Sequence, residues 1–216
     1  MKNVLIVGAH GQVGQLLTDK LNEAPDFTPV ALIRKEEQRE LFAEKGVEAR
    51  VASLEDSVAS LSANMQGIDA VVFSAGSGGS TGSDKTLTID LDGAVKCMEA
   101  AQRAGIRRFV MLSALHTDDR NRWTDAEGMK PYYVAKHYAD RVLKGTGLDY
   151  TIVRPGALKN EEGTGRINTE NPDETKSVPR DDVAQVILEV LQQDSTIGQI
   201  ITFNRGDTPI EEALTE

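Results

Sequence analysis

The feature that most constrains the fold lies at the start of the chain. A short apolar run, Val4-Leu5-Ile6-Val7, leads straight into Gly8-Ala9-His10-Gly11-Gln12-Val13-Gly14. An amphipathic stretch carrying Leu16, Leu17 and Leu21 follows at once. Strand, glycine turn and helix in this order make the opening of a βαβ unit whose turn can take a phosphate. Each glycine has its own reason. Gly8 permits the tight turn, Gly11 lets backbone N–H groups approach a pyrophosphate, and Gly14 lets the helix close on the sheet. The helix N-terminus adds the positive end of its dipole. The spacing is G-x-x-G-x-x-G, wider than the standard G-x-G-x-x-G fingerprint, so the argument rests on context as much as on the motif. Gln12 and Val13 belong to the same cradle. His10 either touches a phosphate or is a solvated loop residue.

The rest of the chain repeats the rhythm. Strand-length runs occur at residues 30–33, 49–52, 70–74, 107–112, 150–153 and 199–203. The early ones (VLIV, VALI, AVVF) are continuously apolar, as expected for strands covered on both faces. Between them, Val183, Val186, Ile187, Val190 and Leu191 form one helix stripe, and Leu91, Ala94, Val95 and Met98 form another that stops at Gly105. Regular βα alternation predicts an α/β fold: a doubly wound, mostly parallel sheet of about seven strands with helices on both faces. No internal repeat or linker divides residues 1–216, which read as a single domain. Two polar stretches, 76–83 (GSGGSTGS) and 157–176, break the rhythm and read as loops over a site.

Composition narrows the function. The chain has 24 basic and 34 acidic residues, a net charge of −10. Nucleic acid and polybasic membrane-surface binding need the opposite balance. The N-terminal apolar run is too short for a signal-peptide core, and no run of about 18 apolar residues exists. A soluble, cytoplasmic protein is expected. The single cysteine, Cys97, excludes an internal disulfide and a multi-cysteine metal site, and it reads as an inert thiol in a helical stripe. His10, His116 and His137 lack zinc-like spacing, so no metal is expected.

Twenty residues past Gly14 stands Arg34, followed by Lys35. An acidic residue there would bind the ribose 2′-hydroxyl of NAD, whereas an arginine suits the 2′-phosphate of NADP. The cofactor expectation is therefore NADP(H), with NAD(H) as the second option. Strand 107–112 ends at Ser113, at the carboxyl edge where open α/β sheets bind ligands. Beyond it, Tyr132 and Lys136 are spaced i, i+4 and share a helix face. An ammonium beside a phenol lowers its pKa, which predicts proton exchange by Tyr132 near neutral pH. Lys136 could also hold the nicotinamide ribose, and Ser113 could hydrogen-bond a substrate oxygen. Tyr133 and His137 form a competing pair of lower weight.

These segments resemble the short-chain dehydrogenase/reductase superfamily, and within it the small atypical NAD(P)-binding members of epimerase-dehydratase or NmrA-like type. The resemblance covers nearly the whole chain. It rests on Gly8 to Gly14, the run Ile68-Asp69-Ala70-Val71-Val72-Phe73-Ser74-Ala75-Gly76, Ala104-Gly105-Ile106-Arg107-Arg108-Phe109-Val110, Tyr132 with Lys136, Tyr150-Thr151-Ile152-Val153-Arg154-Pro155-Gly156, and the terminal Gly206-Asp207-Thr208-Pro209-Ile210-Glu211-Glu212-Ala213-Leu214. It implies a Rossmann-like fold. It also implies that Ser53, Leu54, Ser74, Ala75 and Gly76 pass beside the cofactor, and that Pro155, Gly156, Ala157 and Leu158 lie near the nicotinamide. Two positions depart from the pattern. Ser53 stands where many relatives carry Asp, and Asp90 where catalytically competent members often carry Asn.

The expected function is NADP(H)-dependent hydride transfer to or from a small carbonyl or alcohol. The alternatives are a non-catalytic NADP(H) sensor of NmrA-like type, which would bind a protein partner, and a sugar-nucleotide epimerase or dehydratase. The last is short of room, because only 60 residues follow Gly156. Residues 114–131 and 157–180 are expected to form the substrate region. Arg120, Arg122, Trp123 and Lys130, beside Asp118, Asp119 and Asp125, could receive an anionic or planar substrate there, or form a solvated loop. Thr208-Pro209-Ile210-Glu211 reads as a capping box opening the last helix.

Overall fold

The early strands read as continuously apolar because alternate residues feed two different cores. In the computed structural model, which describes residues 1–79, 81–124 and 127–215, Val4 and Ile6 pack with Leu17, Leu21, Val183 and Ile187. Leu5 and Val7 point the other way, toward Leu61, Met98, Ala139 and Leu143. Both layers exclude water completely at these positions, each large side chain contributing roughly 1.5–3 kcal/mol. Ser80, Asp125, Ala126 and Glu216 lie outside the described residues.

The chain runs through β1 (Lys2–Val7), α1 (Gln12–Glu23), β2 (Phe27–Ile33), α2 (Arg39–Ala43), β3 (Glu48–Val51), α3 (Val58–Ala63) and β4 (Ala70–Phe73). Next come α4 (Ser83–Lys85), α5 (Ala94–Arg103), β5 (Arg108–Leu112), α6 (Lys130–Lys144) and β6 (Asp149–Pro155). The last part holds β7 (Ala157–Lys159), β8 (Arg166–Asn168), β9 (Ser177–Pro179), α7 (Arg180–Gln192), β10 (Ile200–Arg205), β11 (Thr208–Pro209) and α8 (Ile210–Ala213).

The main sheet has nine strands in the order β11-β8-β10-β6-β5-β4-β1-β2-β3. Its seven strands from β10 to β3 are parallel, with Leu5 opposite Val30 on one side and Val71 on the other. This is the Rossmann-like arrangement. The winding reverses between β1 and β4, which opens a crevice at their carboxyl ends. The two remaining strands, β8 and β11, are short antiparallel additions at one edge, and β7 pairs with β9 separately.

Three expectations change in detail. Stretch 157–176 contains β7 and β8, so it is not wholly a loop. The proposed capping box does not form. Thr208 is drawn into edge pairing with Ile167, and α8 starts at Ile210 with no side-chain cap. The helix carrying Leu91 starts earlier than the stripe suggests, because α4 passes through a π-helical stretch, Thr86–Gly93, into α5. Gly105 does close α5, with φ at +77°, while Ile106 N–H returns to Ala101 O at 2.9 Å. No helix among the described residues is long and apolar enough to cross a membrane.

Candidate active site

The glycine turn after β1 is built for close approach. Gly8 has φ +88°, and a Cβ there would lie 2.7 Å from the backbone of Ala75 on the neighbouring turn. A Cβ on Gly14 would collide with the Gly8 carbonyl, so Gly14 is a packing glycine under the turn. Gly11 donates its N–H to Gly8 O at 2.9 Å and then caps α1. No acidic residue occupies the first turn of α1, which leaves its N-terminal field unopposed for an anion. These features fit a dinucleotide pyrophosphate.

Two cavities meet over this turn. The outer one, about 330 Å³, is walled by Gly8, His10, Arg34, Gln38, Ser53 and Leu54. The inner one, about 490 Å³, is walled by Gln12, Ser113, Tyr132, Lys136, Gly156 and Arg180, among others. Gly11, Ser74, Ala75 and Gly76 border both, so the cavities form one cleft along the carboxyl ends of β1, β4 and β5.

Most of the residues singled out from the sequence meet in this cleft, and the rest have visible reasons for lying elsewhere. Val13, Pro155 and Leu158 line the inner cavity, whereas Ala157 is exposed on β7. Arg34 lies at the end of β2 with its backbone N–H on Gln38 Oε1 at 3.1 Å. No carboxylate among the described residues pairs with its guanidinium, whereas Lys35 turns away to Glu37 at 3.4 Å. Ser53 closes its own turn, accepting from Glu55 N–H at 3.1 Å and donating its backbone N–H to Asp56 at 2.9 Å. Lys85 and Glu55, 2.7 Å apart, border the outer cavity.

The inner half is organised by buried charges. Ser113 donates its hydroxyl hydrogen to Asp140 Oδ2 at 2.9 Å. The same carboxylate accepts from Arg154 Nε at 3.0 Å and Nη2 at 2.9 Å, and Arg154 reaches on to Asp118 at 2.7 Å. Burial pushes the Asp140 carboxyl up, while Arg154 and Ser113 pull it back. With its hydrogen committed to Asp140, Ser113 presents lone pairs to the cleft. Lys136 is buried, donates to Leu112 O at 3.0 Å, and holds its Nζ 5.8 Å from the centre of the Tyr132 ring.

The expected depression of the Tyr132 pKa does not occur. Desolvation pushes the phenol well above its ordinary value, and the negative charge of Asp90 adds to the shift. Lys136 cannot offset this, because its own burial lowers its pKa and its Nζ is spent on a carbonyl. Asp90 lies on the π-helical stretch, fully buried, and accepts the Ser77 N–H at 2.9 Å.

The insert after Ser113 is a wall with its own internal fastening. Trp123 is buried and donates to His116 O at 3.1 Å, so it is structural and not a receptor for a planar substrate. Arg120 stacks over Trp123, and Arg122 lies 3.6 Å from Asp173. His116 pairs with the same Asp173 at 2.9 Å, which ties segment 114–131 to segment 157–180. Asp125 lies outside the described residues. None of Arg120, Arg122 or Lys130 lines the cleft. His137 faces Thr117 O at 2.8 Å and the edge of Trp123, so it is part of this packing. Cys97 is buried in a helix stripe, and burial pushes its thiol up to about 12, far from a nucleophile's range.

Sequence reasoning missed Asp140, the side chain of Arg154, and Arg180. A signal existed for Asp140: it follows Lys136 by four residues, which puts it on the helix face that carries Tyr132 and Lys136.

The comparisons with known proteins agree with this geometry. Residues 8–194 match the NAD(P)H-binding family. A Bacillus subtilis (strain 168) protein described as the uncharacterized sugar epimerase YhfK is 49% identical over 211 residues, covering 98% of each chain. A solved NAD-dependent epimerase/dehydratase-type structure from Bacillus halodurans is 43% identical, with TM-score 0.92 over 100% of this chain and 99% of that one. A more distant fold neighbour, at 21% identity and TM-score 0.79 over 96% of each chain, is a Veillonella parvula short-chain dehydrogenase/reductase solved in complex with NADP. The fold and the cleft define a Rossmann-like nucleotide-binding protein. The chain belongs to the NAD(P)H-binding family, and its relatives of 43–49% identity are described as epimerase-like.

Proposed function

We propose that this protein is an NADP(H)-dependent oxidoreductase of the cytoplasm, acting on a small carbonyl or alcohol. The observation that carries the reading is the single cleft in which the glycine cradle and the Ser113–Tyr132–Lys136 wall share Gly11, Ser74, Ala75 and Gly76. The α1 N-terminus would hold the pyrophosphate, Arg34 the 2′-phosphate, and Pro155, Gly156 and Leu158 the nicotinamide end. When bound, the dinucleotide supplies hydride-transfer chemistry. Tyr132, with its pKa raised, stays protonated at neutral pH and donates a proton to the substrate oxygen. That polarity favours carbonyl reduction over alcohol oxidation. Lys136 spans the floor between Leu112 O and Tyr132, and Ser113 offers an acceptor to a donor group of the substrate.

A second reading, the non-catalytic NADP(H) sensor, is favoured by one feature. Asp90 stands buried where the resemblance expects Asn, and a carboxyl group lacks the amide donor that Asn would bring to a proton relay. Epimerisation is what the name of the Bacillus subtilis relative suggests. A Tyr132→Phe variant separates the first two readings. NADPH-dependent reduction across a panel of aldehydes and ketones should fall about 10²–10⁴-fold, with NADPH affinity retained. Absence of any Tyr132-dependent turnover in a protein that binds NADPH leaves the sensor.

A further inference from the structure

The inner cavity holds a cation that no carboxylate among the described residues pairs with. Among the described residues lining it, three carry an acidic or strongly basic side chain: Asp90, Lys136 and Arg180. Asp90 is occupied by Ser77 N–H and Lys136 by Leu112 O. Arg180 is different. It is the first residue of α7, directly after β9, whose Pro179 pairs with Lys159 on β7. Asn160, the next residue, steadies the guanidinium by accepting from Nη1 at 2.8 Å. No carboxylate among the described residues lies within 4.0 Å of it. Its acidic neighbours are engaged elsewhere: Asp181 with Lys20 at 3.1 Å, and Asp182 with Gly165 N–H at 2.8 Å and Thr164 Oγ1 at 3.0 Å.

A guanidinium with one of five donors in use is a strong oxyanion receptor, because its planar fork matches carboxylate and phosphate. Partial exclusion of water from the cavity strengthens the attraction. A pyrophosphate would already have the α1 N-terminus for its charge. We propose that Arg180 is the substrate anchor of the inner cavity, and that the substrate carries an oxyanion, carboxylate or phosphate, beside its reacting oxygen. This rests on the reading of the inner cavity as a substrate site. It also moves anion recognition from Arg120, Arg122 and Lys130 in the insert to the head of α7.

Calorimetric titration of the NADPH-loaded protein with benzoate and with the uncharged isostere benzamide tests it. Benzoate should bind at least about tenfold more tightly than benzamide. The ratio should fall to near one in Arg180→Met and recover in part in Arg180→Lys, which keeps the charge and loses the fork. Wild-type benzoate binding should weaken as chloride is raised, a readout that survives even if the variants fold poorly. Phenyl phosphate run beside benzoate distinguishes the two oxyanions, and tighter binding of either names the substrate class. A benzoate-to-benzamide ratio unchanged in Arg180→Met overturns the proposal. So does a tenfold loss of NADPH affinity in that variant, which would make Arg180 a cofactor ligand. If the wild-type protein binds no NADPH, the oxidoreductase reading falls, and the same titrations on the protein alone still decide the role of Arg180.

Discussion

The two halves of the cleft are made of different materials. The outer half is backbone: a left-handed Gly8, a capping Gly11, the start of α1 and Arg34 at the end of β2, which no carboxylate among the described residues pairs with. The inner half is a set of charges under little or no water, where Asp140, Arg154, Lys136 and Asp90 are buried together beneath Ser113 and Tyr132. Backbone cradles are insensitive to pH and depend on the absence of side chains. Buried charges are sensitive to pH and depend on every partner being present. Cofactor binding and proton chemistry should therefore fail separately.

The largest effect should come from Arg154→Met. The substitution leaves Asp140 buried without its cation, at a cost of about 3–5 kcal/mol. Urea unfolding measures it, and NADPH affinity of the folded fraction should stay within about threefold if the halves are independent. A variant as stable as the parent would show that the network carries no structural weight. Next is Gly8→Ala, which forces a Cβ into the Ala75 backbone at positive φ. Strain of about 1–3 kcal/mol is expected, together with at least a tenfold loss of NADPH affinity, because the turn must open. Retained affinity would mean that the cradle is looser than its geometry implies.

The same division explains what could be read from the sequence. Runs such as VLIV and AVVF gave away β1 and β4 because both faces of each strand are covered, so nothing polar interrupts them. The glycine turn was legible because backbone demands leave glycines behind. By contrast, β8 and β11 have three and two residues, too few for any periodicity. Asp140 and Arg154 look like surface charges in a linear reading. Only the crossing of α6 over β6 brings them together, 14 positions apart in the chain. Arg180 was hidden similarly, at the head of a helix whose apolar stripe drew attention away from its first residue. The Tyr132 pKa went the opposite way from expectation because spacing shows a neighbouring ammonium and says nothing of desolvation.

An effect confined to cofactor choice should follow from Arg34→Glu. A charge-assisted pair with a 2′-phosphate contributes about 1.5–3 kcal/mol, so NADPH should lose roughly tenfold or more while NADH changes little or gains. Fluorescence titration of both nucleotides reads the ratio. NADH binding more tightly than NADPH in the unmodified protein would remove the role assigned to Arg34, without touching the inner half.

The smallest effect tests where the buried network meets solvent. Partial burial pushes the Asp118 carboxyl up, but the Arg154 hydrogen bond and charge pull harder, so its pKa lies below the ordinary 3.8. A depressed acid contributes stability above its unfolded pKa and loses it as pH falls through the lower folded value. Asp118 keeps 67% of its side chain exposed, so solvent screening limits the gain to under about 1 kcal/mol. Asp140, on the other side of Arg154, has a raised pKa and the opposite sign: its cost appears as pH rises out of the ordinary carboxyl range. Asp118→Asn should therefore be slightly less stable than the parent at pH 6. That gap should close as urea midpoints are followed down through pH 3. A gap that persists unchanged into acid would assign the Asp118 contact to packing. The charge pairing that divides the inner half from the outer would then end at Asp140.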